Sequence, residues 1–128
     1  MKALIIGLVN DKSDDPGDAM EPFTPNGSGE RLWRAVNLVT KASRKEYVAR
    51  FDFVNVTGNL TIHSMMKNRN VIVLGREAWK MLGLPFTEWF GNVNSVYLIP
   101  HPSGKSHAFN DENVRIRVGK LLSKLGGW

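Results

Sequence analysis

KALIIGLV, residues 2–9, is a nearly unbroken apolar run near the start of the chain. Runs of this kind mark strands buried on both faces, the strands from which parallel sheets are built. A polar stretch follows from Asn10 to Gly29, rich in Asp, Gly and Pro. It reads as a loop of about twenty residues, and loops that long are usually functional or disordered. GERLWRAVNLV then has helical periodicity, with Leu32, Val36 and Val39 on one face and Ser28 or Gly29 as the cap.

The same alternation continues along the chain. YVARFDFVNVTGN predicts a second strand over 48–57, ended by Gly58 and Asn59, and LTIHSMMK a short helix. NVIVLG, residues 70–75, is another buried-type strand, and REAWKMLGL a helix closed by Gly83 and Pro85. SVYLIP, residues 95–100, is the fourth strand. Asn110 or Asp111 caps a last helix, ENVRIRVGKLLSKL, ended by Gly126-Gly127. Strands alternating with helices predict a three-layer α/β/α domain with a four-stranded, mostly parallel sheet in the order 2-1-3-4. The 128 residues are expected to form a single domain with its own core.

Composition narrows the chemistry. The chain has no cysteine, which excludes disulfides, thiol nucleophiles and cysteine-ligated metal. No apolar run approaches the roughly 20 residues of a membrane span. The N-terminus reads as a first strand instead of a secretory leader, so a cytoplasmic protein is expected and its three sequons carry no weight. Net charge is +5 and the pI about 9.7, which suits nucleic acid without requiring it. Charge is uneven. Asp11, Asp14, Asp15, Asp18, Glu21 and Glu30 make residues 11–30 acidic, while Lys105, Arg115, Arg117, Lys120 and Lys124 make the last quarter basic.

In open parallel sheets, ligands bind beyond the carboxyl ends of the strands. His101, between Pro100 and Pro102, sits at such an end. Its flanking prolines stiffen the backbone, and a neutral imidazole there can donate to a developing oxyanion. A histidine in a stiff turn is the plain alternative. Asn55 closes a strand in which Phe51 and Phe53 share its face. Its amide offers donors and an acceptor to a nucleobase edge, or to local backbone. Phe23, in EPFTPNG, can stack on a base or pin the loop to the core. The loop aspartates lack calcium-loop spacing, and no phosphate-loop or dinucleotide fingerprint occurs. His63 and His107 read as isolated, and Trp33, Trp79 and Trp89 as core.

Taken in order, GLVND, EPFTPNGSGERLWRAV, FDFVNV, VIVLGREAWKMLG and HPSGK resemble the signature segments of the uracil-DNA glycosylase superfamily. The second segment is closest to the mismatch-specific branch; HPSGK resembles the histidine-proline-serine signature of other branches. The resemblance spans nearly the whole chain. It implies a monofunctional DNA N-glycosylase acting on a base flipped from the helix. His101 would stabilise negative charge on the pyrimidine, Asn55 would bind the base edge and Phe23 would stack on it. Ser103 and Gly104 would grip the DNA backbone, and Lys105 stands where relatives often carry an apolar wedge. Val9 occupies the position where relatives usually carry a water-positioning Asp or Asn; Asn10 and Asp11, which follow it, would take that role. The implied partner is DNA, single- or double-stranded, met by a monomer that needs no metal or redox cofactor. A catalytically silent binding module on the same fold, for nucleic acid, nucleotide or protein, is the alternative. A flavodoxin-like binding protein, with no role for His101, is a third reading.

Overall fold

The computed structural model describes residues 1–8, 27–56, 61–102 and 107–128. Its centre is one sheet made of β1 (Ala3–Leu8), β2 (Phe51–Val56), β3 (Val71–Leu74), β4 (Asn92–Val93) and β5 (Val96–Ile99). The order is β2-β1-β3-β5-β4, parallel throughout except for the β4–β5 edge pair. The four expected strands therefore stand in the expected order, and the expected four-stranded sheet becomes a five-stranded mixed one. The fifth strand comes from a tight hairpin. Val93 pairs with Val96, and the two residues between them, Asn94 and Ser95, have φ of 50° and 69°. Two successive left-handed residues are the turn that matches the twist of a two-residue hairpin.

Alternation along the strands sends side chains to two separate cores. Ala3 and Ile5 join Phe51, Ile72, Leu74 and Ile99 against α1 (Ser28–Thr40), α2 (Arg44–Arg50) and α5 (Glu112–Leu125). Leu4 and Ile6 join Val71, Val73 and Leu98 against Ala78 and Trp79 of α4 (Arg76–Met81). The short α3 (Thr61–Met65) leads through Met66 into this second core. Helices thus cover both faces, which is why β3 is buried along its whole length.

The predicted strand over 48–57 begins only at Phe51, because Val48–Arg50 finish α2. Ser43 is the reason. Its hydroxyl accepts the Glu46 N–H at 3.1 Å and donates to the Glu46 carboxylate at 3.2 Å, so a Ser-x-x-Glu box starts a helix there. In α1 the cap is Gly27, one residue before the expected position, and Val39 sits at the rim, not in the core. Asp111 caps α5, accepting from the N–H groups of Asn113 and Val114. α1 and α5 lie close together: a Cβ on Gly119 would stand 2.2 Å from the Ala35 carbonyl oxygen. At the chain's end Gly127 takes φ of 81° and folds Trp128 onto Phe51, with ring centroids 6.0 Å apart. Among the described residues, no helix is long and apolar enough to cross a membrane.

Candidate functional site

The parallel strands end on one edge, and the chain leaves that edge in two directions. From β1 it crosses to β2 on one side; from β2 it crosses back past β1 to β3. The switch point lies between β1 and β3, where such sheets open a crevice. Asn55 and His101 stand on either side of it. Asn55 is in β2, registered against Gly7 of β1, and only 4% exposed. His101 follows β5 by two residues and is half-buried. Strands lie about 4.8 Å apart, so β2 and β5 are separated by roughly 14 Å.

Each side of the switch point is fixed by its neighbours. Below Asn55 on the same strand face, Phe51 and Phe53 pack with Tyr47 at centroid distances of 5.4 and 5.6 Å. This aromatic cluster holds the first half of β2 against α2. On the other side, Gly75 ends β3 with φ of 89°, and its N–H donates to the Ile99 carbonyl at 2.8 Å. A Cβ on Gly75 would lie 3.1 Å from the Cβ of His101. Both the conformation and the close approach call for glycine, which gives the Leu-Gly step after β3 a physical function: it leaves room for His101.

Burial lowers the His101 pKa below its ordinary value, and the Glu77 carboxylate offsets this only in part. The ring is therefore neutral near pH 7, with one nitrogen as donor and one as acceptor.

Arg31 is a residue whose part the sequence reading did not identify. Its Nε donates to the Pro102 carbonyl at 2.7 Å and a terminal nitrogen to Asn110 Oδ1 at 2.6 Å. It thereby ties the first turn of α1 to the backbone just after His101 and to the start of α5. One signal was available. A cation in the first turn of a helix opposes the macrodipole, so Arg31 needed a local reason to be there.

The carboxyl edge carries Asn55, Gly75 and His101, and Gly75 and His101 approach closely there. Asn10, Asp11, Phe23, Ser103, Gly104 and Lys105, like Val9, lie outside the described residues. His63 and His107 are exposed, Trp79 is buried, and Trp33 and Trp89 are partly so. No cluster able to hold a metal ion occurs among the described residues.

Compared with protein-family models, curated proteins and solved structures, the chain matches none of them.

Proposed function

We propose that this protein is a DNA glycosylase-like hydrolase that receives an extruded uracil-type or modified base at the carboxyl edge of its sheet. The observation that supports this reading is the placement of two groups at the carboxyl edge of the sheet: a buried amide, Asn55, near the end of β2, and a neutral histidine, His101, against Gly75 just beyond β5. The amide can accept from a base N–H and donate to a neighbouring carbonyl, the pattern of a uracil edge.

In the reaction the bond from the sugar C1′ to the base nitrogen breaks, and its electron pair leaves with the base. The anion spreads onto the pyrimidine carbonyl oxygen. A neutral imidazole donating to that oxygen lowers the barrier without first having to lose a proton. Water adds to C1′ and gives up a proton; Asn10 or Asp11 would position it. Ser103, Gly104 and Lys105 would hold the strand, and Phe23 would stack on the base. The second reading, a silent binding module, is favoured by Val9 at the water-positioning place in the first loop.

Base release followed by mass spectrometry tests the proposal. Single- and double-stranded oligonucleotides would carry uracil, 5-substituted uracils, thymine mismatches or hypoxanthine. His101→Ala should slow release by about 2–4 kcal/mol in the barrier. Asn55→Asp, whose oxygens only accept, should change which base is released. Release unaffected by His101→Ala would overturn the mechanism. Binding without release would assign the silent module.

A further inference from the structure

α1 and α5 flank a cleft of about 290 Å³ on the helical face, one of whose lining residues, Arg31, also reaches the Pro102 carbonyl. Buried Phe109 contributes to its wall, with half-exposed Leu38 beside it. Its charged lining is three arginines, Arg31, Arg34 and Arg115, against one carboxylate, Glu112.

Two of these arginines are held by neutral oxygens. Arg31 donates to Pro102 O and Asn110 Oδ1; Arg115 donates to Asn110 O at 2.7 Å. One residue, Asn110, therefore draws two guanidinium groups together. Neither forms an ion pair with a carboxylate among the described residues. Arg34 reaches Glu30 at 3.6 Å, but Glu30 is also bound by Arg44, so one carboxylate serves two cations. Like charges gathered in a partly desolvated cleft repel, and an anion placed among them relieves the repulsion. Guanidinium forks with spare N–H groups match phosphate oxygens in geometry as well as charge.

We propose that this cleft is a phosphate-binding site, and that the phosphate it takes belongs to a nucleic-acid strand running past His101. The choice of a strand over other phosphate esters rests on the base-binding reading; the anion site does not. Arg31 joins the two, since the guanidinium that lines the cleft also holds the carbonyl after His101. Strand engagement would thus be sensed next to His101.

The test uses the full chain and a fluorescein-labelled single-stranded oligothymidylate, read by anisotropy at low salt. Arg34→Gln removes an exposed cation whose partner Glu30 keeps Arg44. Leu38→Glu places a carboxylate on the wall of the cleft and leaves every arginine in place. Lys124→Gln makes the same charge loss on α5 at a residue that does not line the cleft. Both cleft variants should weaken binding roughly three- to tenfold, with Lys124→Gln close to wild type. Competition by unlabelled oligothymidylate and by thymidine monophosphate identifies the source: equal potency per phosphate assigns a free nucleotide's phosphate to the same site. Equal losses in all three variants, unchanged affinity in the cleft variants, or a wild-type protein that binds neither probe would overturn the proposal. Base release is measured apart from binding, so failure of the glycosidic reading leaves this result standing, and the reverse.

Discussion

Burial around His101 disfavours the imidazolium more than the Glu77 carboxylate favours it, so the ring titrates below 6.5. The sign has two consequences. The unfolded chain takes up the proton near the ordinary value, whereas the folded chain resists it. This contribution to stability is intact above about pH 6.5 and is lost as pH falls through the lowered folded value. Removing the opposing carboxylate should deepen the shift. In Glu77→Gln, the His101 Hε1 resonance followed by NMR should titrate at lower pH than in wild type, and both should lie below 6.5. A wild-type midpoint above 6.5 would end the neutral-donor mechanism. The positions of Asn55 and His101 at strand ends are legible in the sequence because the apolar pattern of each strand is plain. Arg31 and Gly75 were not readable in these roles: Arg31 meets a carbonyl 71 residues away, and Gly75 is needed for a contact 26 positions on, with His101.

The packing of α1 on α5 depends on a glycine in the middle of a helix, where propensity alone would prefer alanine by about 1 kcal/mol. Gly119 is buried, and any Cβ there would strike the Ala35 carbonyl and the Val39 side chain. Backbone cannot yield as a flexible side chain can. Gly119→Ala should therefore destabilise the protein by about 1–3 kcal/mol, read by urea unfolding, despite the better helix former. A stabilised variant would mean that the helices are farther apart than described. The same helices show what local pattern can and cannot convey. α5 was legible at both ends, from Asp111 to the glycine pair, since caps are local chemistry. The start of β2 was misjudged because Tyr47 and Val48 favour strand by type, while Ser43 and Glu46 impose a helix through capping. β4 has only two residues, too few to show alternation; its trace in the sequence was the Asn94-Ser95 turn.

The charge of the whole chain is +5, yet much of its arginine is already engaged. Arg44 stacks over Trp33, Arg50 over Trp128, Arg76 over Trp89 and Arg117 over Phe90, each within 5 Å of the ring centroid. Cations stacked on rings shape the surface but are poorly placed to follow a phosphate backbone. The arginines of the cleft remain available to one strand, and Lys120 and Lys124, exposed on α5 outside the cleft, only to a second one. A strand that meets this protein should therefore release only a few counterions, fewer than the formal count of basic residues suggests. The log–log slope of affinity against salt should be steep enough to measure, about −0.7 per phosphate contacted for a single strand and −0.9 for duplex. Binding titrated between 50 and 200 mM salt reports the number of contacts directly. A flat response would separate base recognition from strand recognition and favour a module that binds a free base or nucleoside at the same edge. More contacts on duplex than on a single strand, each slope divided by its own value per phosphate, would place the α5 lysines across a second strand. On the proposed function, any base received at the carboxyl edge between Asn55 and His101 would then have to be drawn out of a paired helix.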